Sequence, residues 1–561
     1  MIDKIIIAFI SSLILLAVWS AITIGLSTDE YFHHINGLKR FNYLISFGAN
    51  DNFKFRNNEF YPGLYDTISY ALGHLVLLVN KKFYATNIDI VMHSVNVFFS
   101  TLSILGLYFF SKKIFNYRIA LLACLLTLLN PFFFGHMGMN SKDVIIFFSL
   151  IWFTYYFYLY CVENNKIVKH LLLASFFLGF GSGVRLTFIV VAFPVIIIGL
   201  IFLLKKYEER YAELIKRLVS HTIIALLIIF FLVIICWPHM INEIKNHNFL
   251  NFFSLIIKNT INWIDGPKTG LINGQYYEVF NTPKTYFLDI LIYRMPIYST
   301  ILFIVSYLLL FKKNSHINFE IENFSKKFIL INIITLFPIF LALVLNVNIY
   351  DNLRLFIFVI PFFCLLASLT LHELIRSYKK SQKIKIGLGF ILVLISLSFY
   401  RFILLTPYQY DYINFSSLKL AHAQYKWEHD YWGSSYKELI LKIKDQFTSE
   451  EIQKLKITNC SGDDTLLYYM YRHLGKKFIY RSKREHEANH VVIINRATLD
   501  VLNNPNLKGM VNDQGHMLVK DMEKVVRTPG VKKTCPELYP GKDVISVTRN
   551  GLKISSLRSL Y

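Results

Sequence analysis

Two carboxylates stand side by side in Asp29-Glu30-Tyr31-Phe32, a few residues past an apolar segment running from Ile5 to Leu26. A carboxylate just beyond a lipid boundary does little for anchoring. It can take a proton from a hydroxyl or orient a neighbour that does. Other ionisable residues recur at comparable positions. Asn140-Ser141-Lys142-Asp143, preceded by Phe134-Gly135-His136, separates two apolar runs; Arg185 ends Gly181-Ser182-Gly183-Val184-Arg185; Tyr350-Asp351-Asn352-Leu353-Arg354 opens another run. Such groups are costly to keep near membrane depth, so each is a functional candidate. Cations set apart from carboxylates suit a phosphate-bearing lipid, with Lys142, Arg185 and Arg354 neutralising phosphate while a carboxylate handles a proton. Simpler roles stay open: a solvated loop pair for Asp29 and Glu30, a helix-start cap for Lys142 and Asp143, an interfacial snorkel for Arg185, a lone ion pair of Arg354 with Asp351. His33, His34 and His136 suit surface or aromatic-belt positions better than a metal site.

The elements that must position these groups are membrane spans. The chain has 561 residues, 54% of them hydrophobic and 16% aromatic, and repeated apolar runs place it among polytopic membrane proteins. After the first segment, which lacks a small-residue cleavage site and reads as a retained anchor, runs follow at 88–110, 118–135, 143–161, 169–182, 184–204, 220–237, 296–311, 327–346, 354–376 and 385–405. That makes roughly eleven spans by length and hydropathy. The stretch 169–204 reads either as one bent helix or as two short ones. Basic residues cluster at alternate ends of the spans: Lys112-Lys113, Lys166 and Lys169, Lys205 through Arg217, Lys312-Lys313 with Lys326-Lys327, and Arg376 through Lys385. All lie inside if the N-terminus is inside. An odd number of spans then puts residues 406–561 outside, together with the candidate site residues. The formal charge of +22 is accounted for largely by this topology and by anionic lipid, not by nucleic acid.

The expected fold is therefore an α-helical polytopic domain over residues 1–405, with long outer loops at 27–87 and 238–290, followed by a soluble α/β domain over 406–561. In the latter, Leu455–Thr458, Lys477–Tyr480, His490–Asn495 and Val544–Thr548 read as strands, and Tyr436–Gln446 and Asp464–His473 as helices. Four cysteines lie in or at the ends of apolar runs, where a thiol is a small hydrophobe. Cys460 and Cys535 are the two in the polar region; outside the cytoplasm they can form a disulfide, or they are two unrelated thiols. No CxxC pair marks a zinc site.

With these residues in place, the chain resembles the membrane glycosyltransferases of the GT-C superfold, in the family 39-like branch that holds protein O-mannosyltransferases and lipid A aminoarabinose transferases. Those enzymes carry an acidic motif in their first outer loop, matched by Asp29-Glu30. Bacterial relatives carry a His-x-x-x-Asn-Pro-Lys-Asp motif, matched by His136, Asn140, Lys142 and Asp143, with Ser141 where proline is usual. They also show Trp-Pro (Trp237-Pro238) and a signature matched by Pro407-Tyr408-Gln409-Tyr410 and Asp430-Tyr431-Trp432-Gly433. The resemblance spans residues 1 to about 440.

It implies an inverting transferase that moves a sugar from a polyprenyl-phosphate donor to a hydroxyl or amine of a lipid, glycan or protein acceptor. The leaving phosphate is a stable anion, so such an enzyme needs a base and positive groups but no general acid. The resemblance makes Asp29 the base, with Glu30 orienting it or binding acceptor. Lys142, Arg185 and Arg354 are the phosphate contacts by location, and His136, Asn140, Asp143 and Asp351 support them. Family members differ in metal use, so a divalent cation stays open. The alternative is a transporter or flippase of a lipid-linked sugar, which should show broken helices and charges deep in its spans. Richness in Ile, Asn and Lys suits a bacterial inner membrane.

Overall fold

The computed structural model describes residues 2–50, 60–261, 269–311, 321–345, 347–414, 426–460, 463–477, 479, 487–499 and 532–560. Nine helices among them are long and apolar enough to cross a bilayer, or up to eleven if each of two bent pairs is one span. The chain is an integral membrane protein. The helix Ile360–Ser377 is the central post: its residues from Ile360 to Glu373 are all buried, and it packs against Tyr117–Leu128 and Ile297–Ser306. A helix apolar on every side belongs in the middle of a bundle or in lipid. Tyr211–Ile234 is the lipid-facing counterpart, with Leu226, Leu227, Phe230 and Phe231 turned outward.

The expected span 118–135 is not one straight helix. Tyr117–Leu128 and Pro131–Met139 meet at 74°, because Pro131 has no N–H to continue the ladder and the Asn130 side chain instead accepts from Phe133 N at 3.1 Å. The stretch 169–204 resolves into two helices, Ile167–Val184 and Phe188–Lys206, with Arg185 at the break. The described residues of the two long loops carry regular secondary structure. The first holds helices Thr28–Ile45, Leu64–Val79 and Lys81–Thr86; the second holds Pro238–Lys245, Phe249–Ile261, Tyr286–Tyr293 and the hairpin Thr269–Ile272/Gln275–Glu278. That hairpin turns on Asn273-Gly274, both with positive φ, the backbone such a tight turn demands.

Beyond residue 426 the sheet order is Ile457–Asn459, His490–Ile494, Leu552–Ser559, Lys542–Arg549, with the first pair parallel and the others antiparallel. Helices Tyr436–Gln446 and Asp463–Leu474 pack together and the first lies against the sheet. The strand expected at Lys477–Tyr480 does not form at Lys477 or Ile479, while Phe478 and Tyr480 lie outside the described residues. A disulfide joins Cys460 to Cys535 across 75 positions. The core of this unit, including Leu439, Ile457, Val492, Val547 and Ile554, is continuous with Ile24, Leu26, Met92 and Met139 of the helical bundle. The sheet unit thus sits directly on one end of the bundle.

Candidate active site

Asp29 lies in the first turn of the Thr28–Ile45 helix, whose start is fixed by a capping box: Glu30 N donates to Ser27 Oγ at 3.3 Å and Ser27 N donates to Glu30 Oε2 at 2.9 Å. The spacing Ser-x-x-Glu was a readable signal for this start. Thr28 N and Oγ1 both donate to Trp432 O at 3.0 Å, and Gly25 N donates to Ser434 O at 2.9 Å. The Asp430-Tyr431-Trp432-Gly433 segment thereby docks the helix that carries Asp29.

The capping box separates the acidic pair. Glu30 is fully buried, and its carboxylate is also held by His93 Nε2 and Asn96 Nδ2, each at 3.0 Å. Asp29 faces the other way, with 46% of its side chain accessible.

Arg354 is the hub opposite Asp29. Its Nη1 stands 3.0 Å from Asp29 Oδ2 and 3.3 Å from Asp351 Oδ2, and its Nε is 3.7 Å from Asp143 Oδ2. Its guanidinium lies over the rings of Trp432, at 4.6 Å, and Tyr350, at 5.1 Å. Aromatic faces hold a guanidinium without consuming its donors. Asp351 and Asn352 adopt left-handed backbone, with φ of 56° and 60°; Asp and Asn tolerate this conformation best among residues with a Cβ. Tyr277 Oη donates to Ile349 O at 3.1 Å and Tyr286 Oη to Asn352 O at 2.8 Å, so the loop that delivers Asp351 and Arg354 is pinned at both ends.

The short connection after Met139 supplies the remaining groups. Asn140 Oδ1 accepts from Asp143 N at 2.8 Å and Lys142 N at 3.1 Å, while its Nδ2 donates to Asp143 Oδ2 at 3.2 Å. His136 pairs with Asn140, and with Tyr431 Oη at 3.0 Å. Arg185 Nη1 reaches Asp143 Oδ1 at 3.2 Å. Lys142 Nζ lies 4.5 Å over the Tyr61 ring. One turn along from Asp29, His33 Nδ1 meets Asp66 at 3.1 Å.

Partial desolvation would raise the half-open Asp29 carboxyl, but Arg354, His33, Lys142 and Arg496 outweigh it and hold the group below its ordinary range. Burial, with Arg185 adding to it, lowers Lys142 to about 8 against the pull of Asp66, Asp29 and Asp143. Asp351 is raised by burial, although Arg496 and Arg354 oppose the rise.

The residues singled out by sequence thus converge, with Glu30 on the far side of the cap. Arg185 does more than snorkel, and Arg354 does more than pair with Asp351. Among the described residues no group of three or more His, Cys, Asp or Glu side chains is arranged to hold a metal ion. The carboxylates Asp29, Asp143 and Asp351 instead share one guanidinium, which does not fit a divalent site. Sequence reasoning missed Trp432 as a guanidinium platform and His33–Asp66. It also missed Arg496 in the sheet unit, whose Nη2 is 3.4 Å from Asp351 Oδ1; no local pattern announces that residue.

Residues 84–237 match the family model described as dolichyl-phosphate-mannose-protein mannosyltransferase. No curated protein matches the sequence significantly. Among solved structures, ArnT from Cupriavidus metallidurans bound to undecaprenyl phosphate is similar over 99% of this chain and 98% of its own, at 11% identity and a TM-score of 0.50. The oligosaccharyltransferase AglB from Archaeoglobus fulgidus, in complex with an inhibitory peptide and a dolichol phosphate, is similar over 87% of this chain and 69% of its own, at 10% identity and a TM-score of 0.45. The chain has an ArnT-like fold, mostly helical with a small C-terminal sheet unit, as expected from its apolar runs.

Proposed function

We propose that this protein is an inverting glycosyltransferase that moves a sugar from a polyprenyl-phosphate donor to an acceptor hydroxyl or amine at the outer face of the membrane. The observation that carries this reading is the asymmetry around Arg354: Asp143 and Asp351 are buried against it, whereas Asp29 touches it and remains open. The segment matching the mannosyltransferase family model and the likeness to ArnT support a lipid-linked donor.

In the reaction the bond between the sugar's anomeric carbon and the phosphate oxygen breaks, and its electron pair leaves with the phosphate. The acceptor oxygen or nitrogen bonds to that carbon from the opposite face and gives its proton to Asp29. The ground-state phosphodiester carries one negative charge and the departing polyprenyl phosphate develops a second. Arg354, Arg185 and Lys142 therefore gain interaction as the bond breaks, which is how a fixed cation lowers a barrier. Asp29, kept ionised by the same cations, accepts the proton late, once the acceptor has become acidic. Glu30, sealed in its cap, sets the position of Asp29. Asp143 and Asp351 aim Arg185 and Arg354, and His136 and Asn140 fix Asp143. Residues 1–405 form the catalytic membrane domain and 406–561 an extracytoplasmic domain, in the inner membrane of a bacterium with the N-terminus in the cytoplasm. The sugar is a hexose or pentose.

A transporter of lipid-linked sugar would share the two bent helix pairs. The purified protein offered a panel of polyprenyl-phosphate sugars and candidate acceptors should release polyprenyl phosphate and form a glycosylated product. Movement of donor across liposomes with no phosphate released from any donor would favour the transporter instead.

A further inference from the structure

The sheet unit contributes a residue to the site. Arg496 leaves the end of strand His490–Ile494, on the far side of the bundle boundary from Arg354. Its Nη2 stands 3.4 Å from Asp351 Oδ1, and its Nη1 donates to Tyr431 O. Its backbone is clamped throughout. Arg496 O accepts from Cys535 N at 3.0 Å, and Arg496 N donates to Ile494 O at 3.1 Å. The next residue, Ala497, donates through its N to Glu428 Oε1 at 3.0 Å. The preceding residue, Asn495, accepts through its O from His429 N at 2.8 Å and donates through Nδ2 to Trp427 O at 2.6 Å. Because Cys535 is disulfide-linked to Cys460, the peptide that positions Arg496 is tied covalently to the strand at Ile457–Asn459.

Charge shows what Arg496 is for. Asp29, Asp143 and Asp351 pair with Arg185, Arg354 and Arg496, with Lys142 a further cation beside them. Without Arg496, Asp351 would rely on Arg354 alone, and the cluster would carry one more negative charge where a phosphate must bind. Resting on the donor-phosphate reading above, we propose that Arg496 is a positioning residue for the transfer reaction: by neutralising Asp351 it leaves the Arg354 guanidinium able to bind polyprenyl phosphate. The disulfide-tied sheet unit is then part of the active site and not an appendage that only recruits acceptor. The effect is larger for the released monoester, which carries more charge than the donor diester.

The test is direct binding of undecaprenyl phosphate to the full-length protein in nanodiscs, compared among wild type, Arg496→Ala and Arg496→Lys, with thermal midpoints measured alongside. Arg496→Ala should weaken binding about tenfold or more, and Arg496→Lys should restore it to within about threefold, because a lysine still supplies the charge. The loss in Arg496→Ala should shrink when Asp351→Asn is added, since the charge it neutralised is gone. Wild-type affinity in a folded Arg496→Ala protein would overturn the inference and leave the transferase reading intact. Equal losses in the Ala and Lys variants, with a fallen midpoint, would assign Arg496 a purely structural role and also overturn it. A wild-type protein that does not bind undecaprenyl phosphate would overturn the donor-phosphate reading, and this inference with it.

Discussion

At the residue scale, the acidic pair that dominates the sequence divides its labour. Glu30 satisfies Ser27 N, His93 and Asn96, so Glu30→Ala leaves buried polar partners stranded and should cost about 3 kcal/mol or more, read as a clear fall in thermal midpoint. Asp29→Asn, at a half-open site, should leave the midpoint nearly unchanged. Lys142 gives a pH signature. The folded chain releases its proton near pH 8 and the unfolded chain near its ordinary value of about 10.4. Between these the unfolded state holds more protons, so this group's contribution to stability rises with pH. On the proposed phosphate role of Lys142, binding runs the other way, because its positive charge is lost. Undecaprenyl phosphate affinity should therefore fall as pH climbs through about 8, while Lys142→Arg, which stays charged, should hold its affinity to higher pH.

At the element scale, the fold was legible where periodicity and length are strong. The apolar runs marked the spans, and Tyr436–Gln446 was readable to its ends because its apolar positions Leu439, Ile440 and Ile443 repeat at helical spacing. Strand Leu552–Ser559 went unread, although the Asn550-Gly551 turn before it was visible, because Ser555 and Ser556 interrupt its apolar alternation. The site was legible as a set of polar residues at span ends. Which of them touch was not, since Asp29 and Arg354 are 325 positions apart. Nor did sequence show how the bent Pro131–Met139 helix carries His136 and Asn140 to Tyr431 and Asp143. That helix lies so close to Gln409–Asp411 that a Cβ on Gly135 would stand 2.3 Å from Tyr410 N. Backbone cannot give way cheaply, so Gly135→Ala should destabilise the protein by about 1–3 kcal/mol, measurable as a lower thermal midpoint in detergent.

At the scale of the whole molecule, the bundle and the sheet unit share one hydrophobic core and one charge network. Lys437 Nζ reaches Asp89 at 2.7 Å, and Leu26 N donates to Tyr469 Oη at 2.8 Å. The sheet unit therefore holds the chain just before the helix carrying Asp29 and the start of the neighbouring Ile88–Ile114 helix, while Arg354 contacts Asp29 itself. On the proposed reading, Asp29 is the open carboxylate among the described residues of this site, and the cations around it suit a leaving phosphate. The measurement that tests this most directly is sugar transfer by purified wild type and Asp29→Asn, followed as release of polyprenyl phosphate from the donor that wild type uses best. With Asp29 as the base, release should fall by about 10²-fold or more while undecaprenyl phosphate binding is retained or tightens, because a carboxylate charge beside Arg354 is gone, and the thermal midpoint stays near wild type. Full transfer activity in Asp29→Asn would contradict the assignment of Asp29 as the base.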